Sequence, residues 1–423
     1  MASERRLHGC TMRLIACRPL AGGAVYYRGV MTLRLMQAAA LLALAACGAT
    51  SSQSSAQQSA TEKPFAVAEV TRFDAPWALT FLPGSGLPMT NMALVTEKAG
   101  KLWLVDATNG RKQEVTGIPA VASEGQGGLA DVVAHRDFAG NQRIYLSFSE
   151  RTEGGTTRAA VGYGRLIFSG PAVPGGPVGV SLQEFKVIWR GPSVDSSVHY
   201  SQRIAFAPDG TMFVSSGERF QFDPAQDPKS DLGKIIHMTD EGQRIGGQWY
   251  SMGHRNVLGL DVAPDGRLWE TEMGPRGGDE LNLIVQGRNY GWPKVSYGSH
   301  YSGIPIPDDH KSRGFEEPKV WWNPSISPSS LLIYTGDLFP QWKGDALIGA
   351  LSGQALIRVD IDGDKARKAD QWAMGARIRA VDQGPRGEIY LLEDGPGGRL
   401  LRLEPVERSV SRAGASSGEL PRE

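Results

Sequence analysis

One phrase recurs along this chain: an apolar run, a tight turn built on Pro and Gly, and a second apolar run. It reads Ile204-Ala205-Phe206-Ala207-Pro208-Asp209-Gly210-Thr211-Met212-Phe213-Val214, and again Leu260-Asp261-Val262-Ala263-Pro264-Asp265-Gly266-Arg267-Leu268-Trp269. A third copy is Val381-Asp382-Gln383-Gly384-Pro385-Arg386-Gly387-Glu388-Ile389-Tyr390-Leu391-Leu392, and weaker copies open at Phe81-Leu82-Pro83-Gly84 and Val133-Ala134-His135-Arg136-Asp137. Each copy specifies two short strands joined by a hairpin turn. Helical periodicity is scarce. Irregular strand repeats about 50 residues apart are the signature of radial β repetition. The expected fold class is therefore all-β, a six-bladed β-propeller, with a β-sandwich as the alternative. Residues 66–70 and 400–403 are strand-like and suited to pair, so that the N- and C-terminal strands close one blade.

The start of the chain concerns targeting rather than folding. Met31 opens a short basic region with Arg34, and an apolar run over residues 35–46 ends at Cys47. That run is too short to cross a bilayer and fits a signal peptide. Leu44-Ala45-Ala46-Cys47 also fits the bacterial lipoprotein cleavage box, with Cys47 as the lipidated residue. The alternative is an ordinary signal peptide cut near Ala46. Gly48 after the cysteine points to the outer membrane, facing the periplasm. The expected organisation is an extension outside the native start (1–30), a lipoprotein-type signal (31–47), a Ser/Gln/Ala-rich flexible tether (48–63), a β-propeller catalytic domain (64–406) and a polar tail (407–423).

Composition removes several classes. The three cysteines are Cys10, Cys17 and Cys47, so residues 64–406 hold no disulfide, thiolate metal site or cysteine nucleophile. Lys plus Arg and Asp plus Glu are equal at 45 each. With no basic stripe, nucleic acid is not an expected partner.

The chemistry concentrates in residues 253–293. One strand pair, at 258–262 and 267–271, is expected there, flanked by charged, glycine-rich loops of the kind that present function. Arg255 offers a cationic fork for a carboxylate or phosphate. Asp279, Glu280 and the carbonyls around Gly274-Pro275 are hard oxygen donors suited to calcium. Elsewhere, His199 lies in a polar loop just before a strand, where the entry loops of a propeller line its central mouth. Arg377 and Arg379 alternate on one strand face. Two guanidiniums side by side repel unless an anion lies between them. Asp360-x-Asp362-Gly363 is read as a hairpin turn, and Trp321-Trp322 as packing between blades.

These segments together resemble the soluble aldose sugar dehydrogenases that use pyrroloquinoline quinone (PQQ), the glucose/sorbosone dehydrogenase family. The resemblance rests on His199, Gly253-His254-Arg255-Asn256, Gly274-Pro275-Arg276-Gly277-Gly278-Asp279-Glu280-Leu281-Asn282, Asn289-Tyr290-Gly291-Trp292-Pro293 and Ala376-Arg377-Ile378-Arg379. Glu124-Gly125-Gln126-Gly127-Gly128-Leu129 and Ile348-Gly349-Ala350-Leu351 match as well, and the whole runs from about residue 75 to 403.

The resemblance implies a PQQ- and calcium-dependent oxidoreductase acting on the anomeric carbon of aldoses. It implies His199 as general base and Arg255 as a second catalytic group. It implies Gln126, Arg255, Asn256, Ala350, Arg377, Ile378 and Arg379 as cofactor contacts. For the metal it implies the backbone carbonyls of Gly274 and Pro275, with Glu280 and Tyr290 at a calcium site. The chain departs from the family at Val198, Ser201, Gln202 and at Gly217-Glu218-Arg219-Phe220, where a common form reads Gly-Asp-Arg-Gly. All of these surround the mouth and bear on the substrate. Two other readings stand beside this one: a non-catalytic binding propeller, and a calcium-dependent sugar lactonase, which would have no use for Arg377 and Arg379. The preferred sugar, the electron acceptor and the oligomeric state are not written in the sequence.

Overall fold

Six four-stranded antiparallel sheets follow one another along the chain. The computed structural model describes residues 63–84, 91–169 and 179–406, within a unit that runs from Gln58 to Glu423. The innermost strands of the six sheets are Pro76–Phe81, Leu129–Ala134, Ser201–Phe206, Val257–Val262, Pro328–Ile333 and Ile378–Gln383. Each packs against the next, and the sixth packs against the first, so the sheets form a closed ring. This is a six-bladed β-propeller. The signal, tether and tail expected at 1–62 and 407–423 lie outside the described residues. Among the described residues no helix is long and apolar enough to cross a membrane.

The recurring phrase marks the turn from innermost to second strand in five blades. Ala207 N donates to Thr211 O at 2.8 Å, Ala263 N to Arg267 O at 2.8 Å and Gly384 N to Glu388 O at 2.7 Å, which is the same turn three times. The fifth blade has no visible copy because the chain makes a longer excursion there, closed by Tyr334 N to Asp345 O at 2.9 Å. Second strands such as Met212–Ser216 and Ala346–Ala350 are buried along their whole length. Neighbouring blades cover both of their faces, which explains their near-continuous apolar runs. Outer strands such as Lys365–Ala373 are half exposed and carry the charge.

The ring closes through the chain ends. Phe65–Asp74 pairs with Pro396–Pro405 in the sixth sheet, with Val67 opposite Leu403 and Thr71 opposite Leu400. Asp360-x-Asp362-Gly363 turns between two outer strands of blade five, as expected. Trp322 is buried among apolar residues of blades four and five, whereas Trp321 is 40% exposed and stacks on Tyr297.

One expectation needs correction. In blade four the strand pair is Val257–Val262 with Leu268–Glu272, and a further strand, Asp279–Ile284, follows where a loop was expected. Glu270, Glu272, Glu280 and Asn282 are all buried on this hairpin. Polarity on a buried face disguised the strand.

At the axis, Arg203 joins the innermost strands. Its Nε donates to Leu258 O at 2.6 Å, one terminal nitrogen meets Asp131 at 3.2 Å, and the other donates to Ser329 O at 2.5 Å. The guanidinium lies over Trp77 at 4.1 Å. Five blades thus meet on one side chain. Asp131 in turn accepts from Ile204 N at 2.9 Å. Burial pushes the Arg203 pKa down and Asp131 opposes it. Removing one member of such a pair strands the other, so Arg203→Leu is expected to cost about 3–5 kcal/mol of unfolding free energy. Pairing it with Asp131→Asn should recover part of that loss in denaturant titrations. A loss under about 1 kcal/mol in the single variant would show that the ring does not depend on this contact.

Candidate active site at the mouth of the channel

A cavity of ≈ 290 Å³ opens at one end of the axis, and every blade contributes to it where the chain enters its innermost strand. Trp77 comes from the first blade, Gly125 and Gln126 from the second, and Ser201 and Gln202 from the third. Asn256, Ser327 and the pair Arg377 and Arg379 come from the remaining three. This is why the site residues are scattered through the sequence at roughly blade spacing.

His199 stands at the entry to the third blade. Its backbone N donates to the side-chain oxygen of Gln126 at 2.8 Å. Its Nδ1 lies 2.5 Å from Glu218 Oε1, and the other Glu218 oxygen accepts from Phe222 N at 2.7 Å. Glu218 is fully buried and His199 is 6% exposed. A carboxylate on Nδ1 holds the proton there and leaves Nε2 as the acceptor. Burial lowers the His199 pKa, Arg255 adds to the effect and Glu218 opposes it. The ring is therefore neutral at neutral pH. The sign follows for stability: the neutral ring stabilises the fold above the unfolded value of 6.5, and that contribution is lost as pH falls through the folded value.

The backbone here is strained. Among the described residues, seven of the eleven non-glycine residues with positive φ lie at or beside this mouth: His199, Ser201, Gln202, Arg219, Phe220, Phe222 and Ser327. Such conformations cost energy and persist only when the surroundings impose them. Arg219 imposes part of this one, since its Nε donates to Val198 O at 3.0 Å and its guanidinium also bonds Thr157 and Ser196.

Across the cavity, Arg377 Nε and Arg379 Nε each donate to a different oxygen of Asp394, both at 2.8 Å. The anion expected between the two arginines is thus supplied by the chain itself. Burial acts to raise the Asp394 carboxyl, but the two arginines hold it below the usual range. Two guanidiniums against one carboxylate leave net positive charge, and Lys98 adds to it on the same wall. An anionic ligand fits this wall.

Arg255 is 3% exposed. It donates to Met273 O at 2.9 Å, Gly274 O at 3.0 Å and the Tyr301 hydroxyl at 3.0 Å, while its buried Nε has no partner. Asn256 Oδ1 accepts from Ser201 N at 3.2 Å. Beneath them, Gly274, Glu280 and Tyr290 border a very small cavity together with Glu272 and Gly253. The Tyr290 hydroxyl is committed to Leu283 O at 2.7 Å, which leaves its backbone carbonyl as the donor this residue could offer a metal. Pro275 is buried nearby but does not border that cavity.

The cavity's acid content is higher than the sequence reading expected. Glu272 pairs directly across from Glu280, and Glu270 across from Asn282. His254 Nδ1 is 3.2 Å from Glu272 and 3.8 Å from Glu270. One Glu270 oxygen is buried without a partner. Burial, then Glu272, pushes the carboxyls of Glu270 and Glu280 well above the ordinary range. Like charges facing each other across strands are unfavourable. Hard oxygen donors, carbonyls and an orphaned carboxylate oxygen suit a calcium ion.

Some expected site residues stand elsewhere. Ala350 and Ile378 are fully buried in blade interiors, and Leu351 lines the cavity beside them. Any contact from those two would be through backbone. Sequence reading missed Asp394, Glu270, Glu272 and the role of Glu218. Only the alternation of Glu270 and Glu272, two acids on one strand face, was a usable signal.

A closed propeller of this kind has counterparts among dehydrogenases. The sequence profile of the glucose/sorbosone dehydrogenase family matches residues 73–402. The chain is 36% identical over 351 residues to the aldose sugar dehydrogenase YliI of Escherichia coli, covering 79% of this chain and 91% of that protein. The apo-form structure of the soluble aldose sugar dehydrogenase from E. coli aligns with a TM-score of 0.73 at 35% identity, over 81% of this chain and all of that one. The PQQ-bound aldose sugar dehydrogenase from Streptomyces coelicolor aligns with a TM-score of 0.64 at 28% identity, over 80% and 98% of the two chains. The chain is an oxidoreductase; it belongs to the glucose/sorbosone dehydrogenase family.

The Glu218 contact is testable without any ligand. Glu218→Gln keeps the shape and removes the charge that raises the His199 pKa. An NMR titration should then find the imidazole titrating at lower pH than in the unaltered protein. An unchanged titration would show that Glu218 does not set the state of His199.

Proposed function

We propose that this protein oxidises the anomeric carbon of aldoses to lactones with PQQ and calcium, using His199 as general base. The observation that carries the proposal is the His199–Glu218 pair opening beside a cavity walled by Arg377, Arg379 and Lys98. PQQ has three carboxylates, and that wall offers charge-assisted hydrogen bonds to an anion of this kind. When bound, PQQ would supply the hydride acceptor, and a calcium ion held by the Gly274 and Pro275 carbonyls would supply positive charge to polarise it. Arg255 is well placed to stabilise negative charge, since its unpartnered Nε is already desolvated. His199 Nε2 takes the anomeric hydroxyl proton while Glu218 stabilises the imidazolium through Nδ1. Glu270, Glu272, Glu280 and the Tyr290 carbonyl would hold a calcium ion that neutralises the acids beneath Arg255. The same arginine wall distinguishes this reading from a lactonase.

The discriminating measurement is single-turnover quinone reduction. His199→Ala should bind PQQ nearly as well as the unaltered protein, yet reduce it roughly 10²–10⁴-fold more slowly on addition of an aldose. The unaltered protein should hold its rate down through neutral pH and lose it only at a pH below the ordinary histidine range, as His199 protonates. A variant rate within twofold of normal would make His199 structural.

We also propose that Cys47 anchors the protein by lipidation to the periplasmic face of the outer membrane. Cys47→Ser should abolish metabolic lipid labelling and release the protein from the membrane fraction. A native protein that takes up no label would end that proposal.

A further inference from the structure

An arc of aromatic rings runs from His199 to Arg255, outside the cavity that Arg377 and Arg379 line. Phe220 meets the His199 ring edge-on at 5.4 Å, and Phe222 lies 5.1 Å from Phe220. Phe222 stacks on Trp292 at 5.8 Å. Arg255 sits over Trp292 at 5.3 Å and over Tyr301 at 5.9 Å. The two ends of the arc are open to solvent: Phe220 is 42% exposed and Tyr301 63%. Large exposed aromatics at a polar mouth need a reason, because water contact with such rings is unfavourable.

The backbone makes the case stronger. Phe220 has φ 61°, between Arg219 at 58° and Phe222 at 62°. Glycine would adopt that conformation without steric cost. A phenyl ring is held there against the local preference, beside the group proposed as base. Strain of this kind marks positions where a side chain is needed in one orientation.

Pyranose rings have polar edges and apolar C–H faces, and flat aromatic surfaces complement those faces. A sugar whose anomeric carbon lies at His199 has its other substituents directed away from that base. We propose that the arc from Phe220 to Tyr301 is a subsite for a second sugar ring, so that reducing disaccharides are preferred over free hexoses. Phe220 and Tyr301 are its specificity-determining residues, with the Tyr301 ring itself, whose hydroxyl accepts from Arg255 at 3.0 Å, forming the far end. This inference rests on the aldose dehydrogenase reading above.

The test uses the PQQ- and calcium-loaded protein mixed with maltose or glucose, with no electron acceptor present. The ratio of the two second-order rate constants for cofactor reduction is the readout. Phe220→Gly and Tyr301→Ala should each lower the maltose-to-glucose ratio by about five- to tenfold, the scale of an aromatic contact. Tyr301→Phe, which keeps the ring, should leave the ratio within twofold. Saturation-transfer NMR on the apo-protein should show the non-reducing ring of maltose in contact with the unaltered protein, and the contact should weaken in Tyr301→Ala. If Phe220→Gly does not fold, the Tyr301 pair carries the comparison alone. An unchanged ratio in the folded alanine and glycine variants would overturn the subsite. So would a defect confined to reoxidation when an aromatic quinone is added in a second mixing step, which would make the arc an acceptor surface. If the loaded, unaltered protein reduces its cofactor with neither sugar, the dehydrogenase reading fails instead, a result read independently of any ratio.

Discussion

Everything at the mouth depends on the guanidinium of Arg203. A desolvated cation at the axis is tolerated only because one carboxylate, two carbonyls and one indole face surround it. Those partners come from the other blades, so the charge can be satisfied only when the ring is correctly assembled. Trp77 and Leu258, which it engages, also line the mouth cavity, while Arg203 and Asp131 line a second cavity further along the axis. The hub therefore ties the position of each blade to the floor on which a ligand would rest. Burial energy alone is non-directional and would allow blades to slide; hydrogen bonds to fixed carbonyls do not.

The same logic, charge held by geometry, runs through the site above. Asp394 collects two arginines, Glu218 collects a histidine, and Glu272 accepts the backbone N–H of Arg255 at 2.5 Å. Each carboxylate fixes a cationic or basic group without cancelling the net charge of the wall. Left-handed backbone at His199, Ser201 and Gln202 is part of this arrangement. The surrounding blades are rigid enough to hold it, since their second strands are buried from end to end.

Much of this was legible in the sequence, for identifiable reasons. Hairpin turns repeat because every blade must turn at the same radius, so five of six announced themselves. Blade five was hidden by its longer excursion between Tyr334 and Asp345. His199, Arg255 and Asn256 were visible because each stands just before an apolar strand. Asp394, Glu270 and Glu272 were not, because their roles exist only across strands: Asp394 lies 17 residues from Arg377, on the next strand's exit. The strand at Asp279–Ile284 was hidden because a buried acidic face inverts the usual hydrophobic pattern. Phe220 looked like a mere departure until its ring could be seen against His199.

The closing sheet has a consequence for how such a molecule comes into being. Its first strand finds its partner only near the end of the chain, and Arg72 bonds Gly397 across 325 residues of separation. During synthesis five blades can form behind a ribosome while the sixth waits as an unpaired edge. Contacts this distant are slow to form, and an open edge invites pairing with other chains. The last strands to emerge thus decide whether the nascent ring becomes a closed circle or a sticky arc, and a chain cut short before them would keep nearly all its parts and still be unfinished.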